Sequence, residues 1–368
     1  QPLGHNYGGI LQNYALKKVL EQFGSTVLTV NRRPKTNSKK FKVRSHLWSL
    51  KNKTFNKLNG NYYHKLTKDD LEFIYSENLS FIKKYINLSK EIQSTKDLKN
   101  YFDKENLDAV IVGSDQTWRP RYSPCITNYF LDFLVDNKRI NKVAYACSFG
   151  TSNWEFSEAQ YKQCKKLISN FNAISVRESS GIDICRKFFK TEAQLVLDPT
   201  LLLEKQDYID LIESKLGDVS SLNRGLFNYI LDDTKEKNEL VERLALHLNT
   251  DSFRTQPHKK LPVIGKKNLV DYRYPSIEEW LSSFYTADYI VTDSFHGTVL
   301  SIIFEKQFLV IVNKDRGAAR FESFLNLLGL QNRMFHSISD IDVTILEEEI
   351  DYGTIKSKLE LLKLLSFS

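Results

Sequence analysis

The sequence predicts an α/β protein of two Rossmann-like domains, each on a parallel sheet. Three observations carry this expectation. From about residue 108 onward, short apolar runs alternate with amphipathic segments of helical period, joined by polar turns. The runs are continuously apolar, as in Asp108-Ala109-Val110-Ile111-Val112-Gly113, which marks strands buried on both faces. The series breaks at Asp198-Pro199-Thr200 and begins again after helices and a polar stretch. A chain of 368 residues is also long for one core and suits two.

At the N-terminus, Asn6 to Leu16 reads as a glycine turn opening a helix, with Leu11, Ala15 and Val19 on one face. Gly8 and Gly9 there let a ligand approach the backbone, although a plain helix start reads equally well. The GxGxxG spacing is absent, so no dinucleotide fingerprint is supported. The region from about 36 to 95 reads as a basic, mostly helical insertion without a clear strand. Strands are expected at Asp108 to Gly113, Lys142 to Cys147, Ala173 to Val176 and Gln194 to Leu197. A second series runs through Leu226 to Leu231, Tyr289 to Val291 and Phe308 to Val312. Helices are expected at Ser157 to Ile168, Lys235 to Leu248, Ile277 to Tyr285 and Phe321 to Leu328. A last helix, from about Thr344, is expected to pack back across the domains. The expected division is therefore 1–200, 201–343 and 344–368.

Composition narrows the class. With 41% hydrophobic and 26% charged residues the chain has the makings of an ordinary globular core. Cys125, Cys147, Cys164 and Cys185 form no CxxC pair and read as buried thiols of a cytoplasmic protein. No apolar run approaches the roughly 18 residues of a membrane span. No signal peptide is visible, though the chain opens at Gln1 without a methionine, which leaves room for residues upstream. The net charge is +7, and every charged residue from Arg32 to Lys57 is basic. Such a face suits anionic lipid headgroups at the inner membrane surface, or an anionic lipid-linked substrate, and reads equally as a solvated surface. No recognition motif accompanies the charge, so nucleic acid is not an expected partner.

Four clusters carry chemistry. Thr292-Asp293-Ser294-Phe295-His296-Gly297 lies between an apolar run and a helical one, which places His296 at the N-terminus of a helix after a strand. Free N–H groups and the helix dipole favour an anion there, with Ser294 and Gly297 beside it. Val112-Gly113-Ser114-Asp115-Gln116-Thr117-Trp118 places polar groups past another strand end. Asp115 could cap a turn or accept a proton from a sugar hydroxyl, while Gln116 and Trp118 are types that bond to and stack on sugar rings. Arg177 ends a third strand, and its planar fork suits carboxylate or phosphate of a ligand, or equally a structural pair with an acidic neighbour. Arg316 and Arg320 precede a helix as a further anion clamp.

Taken in order, these stretches resemble the polysaccharide pyruvyl transferase family. The resemblance rests on Asn6 to Leu16, Asp108 to Trp118, Ala144 to Gly150, Ile174 to Gly181, Leu197 to Leu202, Ile277 to Leu281, Asp288 to Phe304 and Arg316 to Arg320. It implies a glycosyltransferase-B-like fold with the active site in the interdomain cleft. It also implies transfer of pyruvate from phosphoenolpyruvate onto two hydroxyls of one sugar, in bacterial surface polysaccharide synthesis. His296 matches the family's cleft histidine, and Arg177 its phosphoenolpyruvate-binding arginine. Some members carry an arginine two residues before that histidine, where this chain has Ser294. Arg316, Arg320 and Arg254 are the candidates to replace it.

In that scheme His296 acts as general acid or as donor to the leaving phosphate, since an imidazole titrates near neutral pH. Arg177 holds the donor and Asp115 is the candidate base for the acceptor hydroxyl. No metal is called for, and a divalent ion bridging the phosphate is compatible with it. The acceptor sugar is lipid-linked, nucleotide-linked or polymeric. Two rival readings stay open: a glycosyltransferase using a nucleotide sugar, and a non-catalytic carbohydrate- or phosphate-binding protein of the same fold.

Overall fold

Apolar runs bounded by turns become two parallel sheets in the computed structural model, which describes residues 3–34, 66–219, 222, 224–257, 269–312 and 317–367. Most of the basic run between Arg32 and Lys57 and the residue Arg316 lie outside the described residues. The first sheet has the order β1-β2-β3-β4, with β1 at Ala109–Gly113, β2 at Asn141–Cys147, β3 at Ala173–Val176 and β4 at Gln194–Leu195. The second has the order β6-β5-β7-β8-β9: β5 is Leu226–Tyr229, β6 Ser252–Phe253, β7 Tyr289–Thr292, β8 Gln307–Ile311 and β9 Met334–Phe335. Every pairing is parallel, so all strands of a sheet deliver their C-terminal ends to the same edge.

The expected strands are all present, some shorter by a residue or two. The two-residue strands β6 and β9 were not expected, because so short a pairing leaves no apolar run to read. All four residues of β5 are buried, in keeping with a strand covered on both faces. Each fully buried Leu, Ile or Phe contributes about 1.5–3 kcal/mol.

Helices fill the crossovers. In chain order they are α1 (Tyr7–Gln22), α2 (Lys68–Ile74), α3 (Ser76–Tyr85), α4 (Thr95–Phe102), α5 (Glu158–Ile168) and α6 (Ser179–Ile184). Then come α7 (Lys205–Leu216), α8 (Lys235–His247), α9 (Ile277–Thr286), α10 (Phe295–Ile303), α11 (Ala318–Leu328) and α12 (Tyr352–Phe367). The described part of the insertion holds α2 and α3 and, as expected, no strand; Leu88 and Ile92 make only isolated parallel bridges, to Thr29 and Arg32.

The first helix links the two sheets. Asn6 caps α1 by accepting from the Gly9 N–H at 3.3 Å, so both glycines fall inside the first helical turn. They do not form the loop ahead of the helix that the sequence suggests. Tyr7 stacks on Trp280 of α9 with ring centroids 4.9 Å apart, which ties α1 to the second sheet's cover. Gln12, one turn further on, donates to Ser114 Oγ at the end of β1 at 2.9 Å. One helix is thus shared by both sheets.

The C-terminal helix starts at Tyr352, later than the sequence suggests. The intervening turn Val343–Leu346 is a 3-10 segment, because Asp342 accepts from Thr344 N–H and Ile345 and Leu346 must turn inward to be buried. The helix begins beside the second sheet, where the Tyr352 hydroxyl donates to Lys306 O. It ends beside the first, where Gln194 Nε2 donates to Leu365 O at 2.7 Å.

Candidate active site

Five strand or helix ends converge on one place. The turn after β1 brings Ser114 and Asp115, β3 brings Arg177, and the turn after β4 brings Asp198. The second sheet contributes His296 through the β7–α10 junction, and the first turn of α11 contributes Arg320. Ligands of open α/β folds bind at such carboxyl ends.

Arg177 is the hub. Its buried guanidinium donates from Nη1 to Asp198 Oδ2 at 2.5 Å, and its Nη2 lies 3.6 Å from Asp115 Oδ1. The Arg320 guanidinium stands 3.8 Å from the same Asp115 oxygen. Both arginines pack on the Phe295 ring, at 4.7 and 5.3 Å from its centroid. Burial works against the charge of Arg177, but Asp198, Asp115 and Glu178 outweigh it and hold it above the usual arginine value. Arg320 is pushed down to about 10, by burial first and then by Arg177.

The two carboxylates differ. Asp198 is saturated: Oδ1 accepts from the Thr200 N–H at 3.1 Å and the Thr200 hydroxyl at 2.7 Å. Its Oδ2 accepts from Arg177, from Ser114 Oγ at 3.2 Å and from Gln12 Nε2. Burial alone would raise its carboxyl, but Arg177, His296 and Thr200 bring it down to about 2. Asp115 faces both arginines across longer ion pairs, and it follows Ser114 on a left-handed backbone, with φ of 30° and 54°. Burial raises its carboxyl too, and Arg177 and Arg320 outweigh that to leave it lowered.

His296 faces this cluster from the second sheet. Its Nε2 lies 4.0 Å from Asp198 Oδ2, and its ring is set against Gly8, where a Cβ would collide with it. Burial pushes the imidazole down to about 4, against the opposing pull of Asp198. The ring is therefore neutral at neutral pH. Three buried nitrogens, the donors Nε and Nη2 of Arg177 and the ring Nε2 of His296, have no hydrogen-bond partner. Buried polar groups are normally satisfied, so three in one place point to an anionic ligand.

The family model described as polysaccharide pyruvyl transferase matches residues 6–315. The chain belongs to that family. No curated protein matches it. Among solved structures, a functionally uncharacterised protein of Klebsiella pneumoniae is similar at 11% identity and a TM-score of 0.39, over 80% of this chain and 98% of that one. The glycotransferase of kitacinnamycin is similar at 13% identity and a TM-score of 0.42, over 97% and 91%. Among the described residues, no helix is long and apolar enough to cross a membrane.

For this member of the pyruvyl transferase family, some residues expected in the site lie elsewhere in the local architecture. Trp118 is wholly buried, stacked on Phe130 with its indole N–H donating to Tyr129 O at 2.9 Å, so it offers no face to a sugar. Gln116 spends its amide oxygen on Arg119 Nη1 at 2.8 Å. Ser294 caps α10 by accepting from the Gly297 N–H at 3.3 Å. Gly297 lies so close to Thr292 that a Cβ would collide with its hydroxyl. Both residues shape the helix start. Gly9 likewise serves the Asn6 cap, whereas Gly8 backs His296. Arg254 pairs with Asp233 at 3.3 Å, away from the cluster.

Asp293 also turns away from the cluster. It accepts from Lys237 Nζ at 2.6 Å and from the N–H groups of Leu231 and Asp232 at 2.6 and 3.0 Å, fixing the β5 loop under α10. On the other side, Glu178 Oε1 accepts from Phe149 N–H at 2.7 Å and Gly150 N–H at 3.1 Å, shaping the loop after β2. Sequence reading missed Gln12, Ser114, Asp198 and Phe295 as site residues. All four fall in stretches the family resemblance already used, Asn6 to Leu16, Asp108 to Trp118, Leu197 to Leu202 and Asp288 to Phe304, where nothing local sets them apart.

Proposed function

We propose that this protein moves the pyruvyl group of phosphoenolpyruvate onto two hydroxyls of one sugar, in bacterial surface polysaccharide synthesis. The carrying observation is the set of buried nitrogens on Arg177 and His296 without a hydrogen-bond partner. A donor with a phosphate and a carboxylate fits them, because charged hydrogen bonds to planar or tetrahedral oxyanions are what such groups make best.

In this transfer the methylene carbon gains a proton and becomes methyl, and the central carbon takes the oxygen of one sugar hydroxyl. The second hydroxyl oxygen then displaces phosphate at the same carbon, closing a cyclic ketal. Of the two hydroxyl protons released, one offsets the proton on the methyl group and the other leaves on phosphate. His296 is the general acid: kept neutral by its burial, it gains proton affinity once a phosphate dianion sits beside Nε2.

Arg177 binds the carboxylate or phosphate. Arg320 takes the part of the arginine that other members carry two residues before the histidine. It comes from α11, yet shares the Phe295 ring with Arg177. Asp115 accepts the acceptor proton. While both arginines face it, its basicity is low, and a donor that engages them releases it. A cavity of about 860 Å³ reaches Gln12, Ser114 and Asp115, with Asn13, Thr29 and Asn128 among its other polar walls, and gives a sugar room to approach. The basic run from Arg32 is what would hold a lipid-linked acceptor at an anionic membrane surface. A divalent ion on the phosphate is compatible with this scheme.

Calorimetric titration of phosphoenolpyruvate into the purified protein tests it. Saturable binding is expected, weakened by about 2 kcal/mol or more in Arg177→Ala and Arg320→Ala, the scale of a charged hydrogen bond. His296→Ala is expected to bind and not turn over. Absence of donor binding even with sugar phosphates present, together with saturable binding of a nucleoside diphosphate, would favour the glycosyltransferase. Full function of His296→Ala in cells would favour a non-catalytic binding protein.

A further inference from the structure

Asp198 is the most heavily bonded charged group at the site, and the transfer chemistry gives it no step. Its carboxylate is wholly buried, yet it touches every part that has to be aligned. It holds Nη1 of Arg177, leaving Nε without a hydrogen-bond partner and Nη2 with only the long ion pair to Asp115. Gln12 reaches it from α1 and Ser114 from the β1 turn, while Thr200 pins its other oxygen twice. Across 4.0 Å it faces His296 Nε2, too far for a direct hydrogen bond and near enough for its charge to act.

We propose that Asp198 is the positioning residue of this site, aligning Arg177 with one oxygen and using its charge to let His296 carry a proton when the donor is bound. The inference rests on the transfer reading for its kinetic consequence, and on geometry alone for its effect on the imidazole.

The other charged groups facing His296 oppose or duplicate this influence in a definite way. Arg177 and Arg320 disfavour an imidazolium; Asp115 favours it, though its ion pairs with the two arginines are longer than that of Asp198. Asp198 is the negative charge that stays in place, because its five hydrogen bonds come from Arg177, Gln12, Ser114 and, twice, Thr200. A buried negative charge a few ångströms from a base favours that base's protonated form without a direct hydrogen bond.

Two variants of the full chain separate the charge from the placement. In Asp198→Asn, the His296 imidazole, followed by NMR in the absence of substrate, should titrate about one pH unit or more lower, the usual effect of losing a nearby opposite charge. Turnover should fall about 100-fold, with the alkaline limb of the pH profile moved to lower pH. In Asp198→Glu, the charge remains and the limb should stay, while displacement of Arg177 raises the donor KM about tenfold or more. An Asp198→Asn protein that melts lower but keeps the wild-type His296 titration overturns the proposal, since that is what a merely structural carboxylate would give. Should Asp198→Asn not fold, Asp198→Glu decides: a wild-type donor KM there overturns the proposal, and a raised KM with an unmoved limb supports it. If wild-type protein neither binds nor uses phosphoenolpyruvate, the transfer reading fails by itself, and the His296 titration still tests Asp198.

Discussion

The two sheets meet at one site and bring unlike things to it. The first sheet supplies charge: Asp115, Arg177 and Asp198 all hang from its strand ends, within 2.5 to 3.6 Å of one another through Arg177. The second supplies a neutral ring, His296, and through the helix after β8 one further guanidinium, Arg320. Its own acidic residue at the same junction, Asp293, points the other way and is bound by Lys237. Nearby positions on one chain thus split their work, with Asp293 fixing the scaffold and His296 facing the first sheet. The difference shows how the sheets can be broken separately. Damage on the second sheet's back side should cost stability, whereas damage at the front should cost chemistry.

The largest effect is expected from Lys237→Met. It removes the partner of a fully buried carboxylate, and breaking such a pair typically costs about 3–5 kcal/mol. A melting temperature lowered accordingly, with phosphoenolpyruvate affinity within about twofold of wild type, keeps the two sheets distinct. The twofold margin reflects the near-additivity of sites that share no partner. A loss of donor affinity with no loss of stability would instead join Asp293 to the donor site.

Next comes a slope in pH. The folded protein resists protonating His296 until about 4, whereas the unfolded chain takes that proton near 6.5. Between those values the unfolded state binds more protons, so stability falls as pH falls. The gap is worth on the order of 3 kcal/mol. Asp198 adds to the same trend only further down, as pH falls from 3.8 through about 2. Melting temperatures from pH 7 to 4.5 should therefore decline more steeply for wild type than for His296→Gln. Parallel curves would mean that the ring is not held neutral by its burial between the sheets.

Much of the fold was readable from the sequence, and the failures share a cause. The strand ends were visible because Ala109 to Gly113 and Tyr289 to Thr292 are apolar runs with polar residues after them. His296, Arg177 and Arg320 could be placed on those ends by counting along the chain. Asp198 was read as a boundary, since Asp-Pro-Thr is a strong breaker signal and the same side chain that starts a turn can also anchor an arginine. Gln12 looks like any polar residue of an amphipathic helix; its partners lie 102 and 186 positions away, beyond any local pattern. Trp118 failed in the opposite direction. A tryptophan in a loop past a strand suggested a sugar platform, and only the packing of Phe130 and Phe149 around it shows that it is core. The glycines of α1 were noticed for the wrong neighbour: Gly8 makes room for a side chain of this protein.

That neighbour gives the smallest and most selective test of the comparison. Gly8 lies on the helix shared by both sheets, and a Cβ there would occupy the place of the His296 ring. Alanine is a better helix residue than glycine by about 1 kcal/mol, so Gly8→Ala should fold at least as well as wild type if the ring can turn aside. The imidazole is a side chain on χ1 and χ2, and it yields more readily than the backbone of α1. Its new position would carry Nε2 off the line toward Asp198 and the donor. Turnover is expected to fall about tenfold or more, in keeping with the cost of small misplacements of a catalytic group. Donor affinity should fall by less than turnover, because Arg177 keeps its place on Asp198 while only Nε2 moves. Unchanged turnover in a folded Gly8→Ala protein would mean that α1 does not set the histidine, leaving the first sheet's charges to act on a ring held by α10 alone.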